Sequence, residues 1–384
     1  MNFELNEEQQ MLADTVERLV RNTYSFEQRE VFYQSPRGYS PEFWRQLSEL
    51  GITSVPIAAE YEGFGGTGVE NMLVMKELGR GLCLEPYLHS QIYAAGLVEQ
   101  LGSAEKRQSI LPAVAAGERL LAVADEEAGS HYHPEAIECQ AVPCERGWRL
   151  SGRKRVVIGG ELAHTILVTA RMSDGEGVSL FLLDPAAEGV SRTGYPCIDG
   201  PRACDLTLAD VYIEADSLLG PAGKAAPALA YQRGRAVAAQ CAEAVGSIEE
   251  AFRLTLDYLK TRQQFGSPIG RFQALQHRMA EMRGELELAR SMTILAACVA
   301  DDPDSESRSR RLAAAKFTVA RASQLIAEQS VQLHGGIGMT WEYSLAHHAK
   351  RLVMLTHQFG DDDFHLGQYS ALLEIPRQAS QQVA

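Results

Sequence analysis

The chain has 384 residues, 45% of them apolar, enough to bury a large core and to suggest two or three domains. Thirty-six basic against fifty acidic residues leave a formal charge of −14, which argues against non-specific nucleic-acid binding and against an anionic membrane surface. The start, "MNFELNEEQQ", has no apolar signal core, and no run approaches the roughly 20 apolar residues of a membrane span, so a soluble cytoplasmic protein is expected.

From residue 1 to about 118 the pattern is helical. Asn6 and Gln9 have the spacing of a capping box, and Met11, Leu12, Val16, Leu19 and Val20 follow on one helical face. "YSPEFWRQLSELG" repeats that grammar, with Ser40 as N-cap, Pro41 in the first turn, Phe43, Leu47 and Leu50 as a stripe and Gly51 as terminator. "EYEGFGGTG", residues 60–68, is a glycine-rich loop, after which "VENMLVMKELGRGL" returns to the helical period.

Between about 119 and 222 the period changes to short β-branched or alternating runs: "GWRLSGRKRVVIGG", "HTILVTAR", "GVSLFLLD" and "ACDLTLADVYI". This predicts an antiparallel barrel or sandwich. Parallel strands would need roughly ten or more helical residues between them, which the pattern lacks, so a nucleotide-binding Rossmann unit is not expected.

From about 223 to 384 long amphipathic stretches return around 226–262, 272–300, 308–334 and 342–359, joined by short breaks. They suit an up-and-down four-helix bundle, with a fifth short helix after Asp363. The charged run from Asp301 to Arg311 reads as a solvated interhelical loop. Seven cysteines (Cys83, Cys139, Cys144, Cys197, Cys204, Cys241, Cys298) form no CxxC pair and no metal spacing, so they are read as reduced, buried structural thiols, with no metal site.

The order is therefore α, β, α, an α+β chain. "LKTRQQFGSPIGRFQALQHRMAEM" (259–282) and "QLHGGIGMTWEY" resemble the signature segments of the flavin-dependent acyl-CoA dehydrogenase family, as do "ELGITSVPIAAEYEGFGG" and "VYIEADSLLG". Within it, "SFEQRE", "LEPYL", "CAEAVG" and "FGDDDFH" are similar to the small subunit of bacterial pimeloyl-CoA dehydrogenase. The resemblance implies an N-terminal helical domain (1–118), a middle antiparallel β-barrel domain (119–222) and a C-terminal four-helix bundle domain (223–384). It also implies FAD as cofactor, an acyl-CoA substrate desaturated between its α and β carbons, and an electron-transfer flavoprotein as electron acceptor.

The residues make chemical sense of that likeness. Arg262 offers a planar guanidinium for bidentate phosphate contact, although alone it reads as a solvated cation at a helix end. Gly335 and Gly336 let backbone approach a ligand where a Cβ would collide; without the neighbouring motif they read as a helix C-cap, and His334 as a packed core histidine. The resemblance assigns Arg262 and Phe265, with Gln273 or Gln276 close by, and Gln332, Gly335 and Gly336 to the adenosine diphosphate half of FAD, shared across a subunit interface. A homo- or hetero-oligomer, dimer or tetramer, follows.

Catalysis in the family needs a carboxylate to remove the α-proton. The two positions where relatives carry that Glu hold Ala236 and Phe359 here, which leaves Glu243, Asp361 and Asp362 as candidates, each with the simpler reading of a solvated or packing charge. Where relatives carry Thr-Glu-Pro-Gly-Ala-Gly-Ser-Asp against the flavin, this chain has "DEEAGSHYHP" (125–134), keeping Ser130, and where they carry Trp-Ile-Thr it has Val156, Val157 and Ile158. A diphosphate half without a ring half suggests the small partner of a heteromeric enzyme whose large acyl-CoA dehydrogenase subunit carries the base. A non-catalytic scaffold and an acyl-CoA oxidase stay open.

Overall fold

The computed structural model describes residues 4–133, 135–173, 175 and 177–373, so Pro134 of the quoted loop and the last eleven residues, 374–384, lie outside the described residues. The N-terminal helices start where their caps are. Asn6 and Gln9 close a reciprocal capping box on α1 (Glu7–Thr23), and Ser25 and Gln28 do the same for α2 (Phe26–Gln34). Ser40 caps α3 (Pro41–Glu49), and Gly51 follows in the left-handed conformation. After the glycine loop come α4 (Gly68–Arg80), a π-helical stretch (Leu88–Ala94) running into α5 (Ala95–Leu101), and α6 (Ala104–Ala115).

The sheet departs from the expected barrel. Its strands are β1 (Leu121–Ala124), β2 (Gln140–Cys144), β3 (Gly147–Ile158), β4 (Thr165–Met172), β5 (Val178–Leu183), β6 (Val190–Pro196), β7 (Arg202–Glu214) and β8 (Leu218–Leu219). They lie in an open order β6-β7-β3-β2-β4-β5-β8, with β1 on β4. Closure fails at both edges: β6 is exposed along most of its length, and β8 has only two residues to offer a partner. Nor is the sheet wholly antiparallel, because β1 and β2 both pair parallel with β4. The β2–β3 hairpin makes that crossover, so no helix was needed for it.

The C-terminal bundle comprises α7 (Ala226–Thr261), α8 (Gln273–Val299), α9 (Ser305–His334) and α10 (Ser344–His357), followed by α11 (Asp362–Ala371). The charged run is not wholly a loop. Asp304 caps α9, which starts at Ser305, and Asp301 accepts from the Gly68 backbone at 2.8 Å and pairs with Arg235 at 3.1 Å, tying the bundle to α4. One apolar core joins the N-terminal helices, the sheet and the first half of α7, and a second fills the bundle around Ile248, Met282, Leu286, Ile326 and Leu352. Cys139, Cys204 and Cys241 are buried as expected, but Cys83 and Cys197 are half-buried and Cys144 and Cys298 exposed, all as free thiols. No described helix is long and apolar enough to cross a membrane.

Candidate functional site

The two glycine-bearing segments that frame the sequence argument come together at their flanks. Helix α7 ends at Thr261, Arg262 leaves it in extended conformation, and Tyr258, four residues earlier, stacks on His334 with ring centroids 4.4 Å apart and planes 23° apart. His334 is the last residue of α9 and Gly335 follows at φ 66°. The guanidinium of Arg262 makes no hydrogen bond or ion pair among the described residues, and Phe265 is 91% exposed at φ 54°, touched by Phe272 edge-on. Gln273 and Gln332 are exposed beside them, and Gln276 donates to the Gly270 carbonyl at 2.9 Å.

The expected collision at the glycines is not internal. Among the described residues, a Cβ at Gly335 or Gly336 would meet nothing within 4 Å. Gly335 needs its positive φ, whereas Gly336 meets no constraint among the described residues, which leaves its face of the loop open to a ligand. A free planar cation, an exposed aromatic and open backbone fit the adenosine diphosphate half of FAD. Downstream, Trp341 donates its indole N–H to Glu30 at 2.6 Å, and His347 bonds the Trp341 carbonyl at 2.8 Å, which fastens the far end of the glycine loop to α2.

At the positions that the resemblance pairs with the flavin ring and the base, the chain's own side chains pack on one another. Ala236 is fully buried, and Phe359, at φ 58°, stacks on His89 with centroids 5.6 Å apart and meets Tyr93 edge-on at 5.6 Å. Tyr132 and His133 of the retained loop pack against Phe364 at 5.7 and 5.4 Å. The Ser130 hydroxyl is spent inside its own loop, donating to the Glu127 carbonyl and to Glu126, each at 3.0 Å. Ile158, half-buried at the end of β3, offers a hydrocarbon surface where relatives have a hydroxyl. These residues do not fit a flavin ring.

The candidate carboxylates are also engaged. Glu243 accepts from Arg351 Nε at 2.6 Å, and Arg351 Nη1 donates to Asp199 in the β6–β7 turn, also at 2.6 Å. Burial opposes charge on Arg351, but Glu243 and Asp199 outweigh it and its pKa rises. Asp361 caps α11 through the Phe364 backbone N–H at 2.8 Å, and Asp362 sits in that helix's first turn. Arg233, buried under Phe359, is likewise held charged by Asp125 and Glu126 at 3.1 and 3.0 Å.

One carboxyl escaped the sequence reading. Glu85 is 8% exposed in a cavity it shares with Leu84, His89, Ile158, Glu243 and Arg351, one of its oxygens has no hydrogen-bond partner, and burial pushes its pKa up to about 7. Nothing in "CLEPYL" distinguishes it, since its burial comes from elements distant in sequence.

Comparisons with known proteins show the family. Residues 6–118 match the N-terminal domain of acyl-CoA dehydrogenase and residues 228–372 its C-terminal domain. Acyl-CoA dehydrogenase FadE12 of Mycobacterium tuberculosis is 30% identical over 356 residues, 90% of each chain. The chain belongs to the acyl-CoA dehydrogenase family. Members of that family are flavoprotein oxidoreductases, and the order of helices, sheet and bundle described above is the acyl-CoA dehydrogenase fold. Among solved structures, a variant of the Tcur3481-Tcur3483 steroid ACAD is 30% identical with a TM-score of 0.86, covering 95% of this chain and 97% of that one. The ChsE4-ChsE5 complex of Mycobacterium tuberculosis is 27% identical with a TM-score of 0.87, covering 97% and 98%.

Proposed function

We propose that this acyl-CoA dehydrogenase chain is the small subunit of a heteromeric enzyme that desaturates an acyl-CoA thioester, with the flavin ring and the catalytic base in a larger partner subunit. Arg262, Phe265, Gln332, Gly335 and Gly336, with Gln273 beside them, would hold the adenosine diphosphate half of FAD at the interface. When bound, FAD supplies the acceptor for the hydride that leaves the acyl β-carbon. The observation that carries this reading is the contrast between an open, unpaired Arg262 beside an unobstructed Gly336 and a centre whose base positions are Ala236 and Phe359. The likeness to a ChsE4-ChsE5 complex and to a Tcur3481-Tcur3483 enzyme supports a two-component assembly. For the substrate we favour a medium-length dicarboxylyl-CoA such as pimeloyl-CoA, on the sequence likeness of the subunit, with an electron-transfer flavoprotein taking the electrons.

Co-expression with acyl-CoA dehydrogenase genes from its own operon, followed by native mass spectrometry and a visible spectrum, tests the assembly. The expected result is a mixed oligomer carrying flavin that reduces a dye with pimeloyl-CoA, while the chain purified alone carries little flavin and is inactive. Full flavin loading and turnover by the isolated chain would refute the partner requirement. Faster turnover with a steroid side-chain CoA ester, the class suggested by the Tcur3481-Tcur3483 relative, would refute the dicarboxylate substrate. In the mixed oligomer, Glu243→Gln should leave turnover within about twofold, because that carboxylate is committed to Arg351 and does not act as base.

A further inference from the structure

Between the end of α7 and the glycine loop stands a stack of three rings with no role in the proposed function above. Tyr258 and His334 lie face to face at 4.4 Å, and Tyr343, just before α10, leans on His334 at 5.4 Å with planes 50° apart. Nδ1 of His334 is 2.8 Å from the Ser330 carbonyl, which can only accept, so Nδ1 carries the hydrogen and Nε2 is left to accept from the Tyr343 hydroxyl at 3.3 Å. Burial lowers the pKa of His334, which keeps it in this neutral form. Arg262, the first residue past α7, donates its backbone N–H to the Tyr258 carbonyl at 2.8 Å, while His334 is bonded directly to Gly335. The stack thus links the residue that carries the cation's backbone contact to the residue that precedes the bare backbone.

The far end of the glycine loop is fastened separately, through Trp341 to Glu30 on α2, while the ring stack joins its near end to the last turns of α7. Two helix C-termini, those of α7 and α9, converge here, and their negative ends repel an anion. Arg262 supplies the positive charge that offsets them where a diphosphate would bind. Tyr258 and Tyr343 are each only half-buried, which is more than a core anchor would leave exposed.

We propose that Tyr258, His334 and Tyr343 are positioning residues that set the distance from Arg262 to Gly335 and Gly336, and thereby the affinity for the adenosine diphosphate half of FAD. This rests on the reading that these segments cradle a diphosphate. The test uses the flavin-bound mixed oligomer carrying Tyr258→Leu, Tyr258→Phe, Tyr343→Phe or, as reference, Arg262→Ala. FAD affinity is measured by flavin fluorescence after deflavination, and thermal midpoint alongside it. Tyr258→Leu should weaken FAD about tenfold, a loss comparable to one aromatic contact, while Tyr258→Phe, which keeps the stack, should restore affinity. Tyr343→Phe, too mild to unfold the chain, should weaken FAD about threefold by releasing Nε2. If Tyr258→Leu and Tyr343→Phe only lower the thermal midpoint and leave FAD affinity at the wild-type value while Arg262→Ala loses flavin, the stack is structural and the cradle stands. If Arg262→Ala keeps its flavin, the cradle itself is wrong.

Discussion

Arg351 is the residue on which the filled half of the site turns. Its guanidinium spans Glu243 on α7 and Asp199 in a sheet turn, with all three side chains nearly removed from water. The value of such a group is asymmetric: it is worth little against a well-packed apolar replacement of all partners, and much against the loss of one. Arg351→Leu would leave two buried carboxylates without the guanidinium that hydrogen-bonds both, and should cost about 3–5 kcal/mol in urea unfolding of the chain. The double change Glu243→Gln with Arg351→Leu should recover part of that loss, since one of the two stranded charges is gone; a double mutant no more stable than Arg351→Leu would mean the destabilisation has another source. None of this was legible in the sequence, where Arg351 stands 108 residues from one partner and 152 from the other.

At the scale of the element, the loop after α9 separates two kinds of glycine. Gly335 turns the chain at φ 66°, so Gly335→Ala should lower the chain's own stability by about 1–2 kcal/mol. Gly336 has neither a positive φ nor a neighbour within 4 Å of its missing Cβ, so Gly336→Ala should leave the thermal midpoint unchanged and yet reduce flavin content in the mixed oligomer. Equal flavin content in wild type and Gly336→Ala would show that nothing approaches that face of the loop. Helix starts were legible in advance because capping is local: Asn6 with Gln9 and Ser40 with Pro41 needed no knowledge of the rest of the chain. The sheet was legible strand by strand through the long runs β3, β4, β5 and β7, but not in its order. Openness depends on edges that never meet, and the parallel pairs depend on a hairpin acting as crossover, both of them long-range facts. The diphosphate side of the site was legible because its residues sit in two short signatures. Glu85 and the ring-filling aromatics were not, since their meaning comes from burial.

For the molecule as a whole, the buried and half-buried titratable groups set a pH range. His89, His348 and His365 are each pushed by burial to a pKa of about 3, while the unfolded chain protonates them near 6.5. Below that value the unfolded state binds the extra protons, so their contribution to stability is complete above pH 6.5 and is lost as pH falls, at about 1.4 kcal/mol per unit for each. Glu85 acts the other way. Its folded pKa of about 7 lies above the ordinary 4.5, so the folded state keeps a proton the unfolded one releases, and stability falls as pH rises from 4.5 to 7. Three histidines against one carboxyl leave a net loss on acidification of about 3 kcal/mol per unit between 6.5 and 4.5. Against a total of about 5–15 kcal/mol, that predicts loss of cooperative unfolding near pH 4, followed by circular dichroism melts at successive pH values. Glu85→Gln isolates the opposing term: it should gain about 3 kcal/mol over wild type at pH 8 and almost nothing at pH 4.5, and a gain that does not grow with pH would mean that Glu85 is ionised in the folded chain.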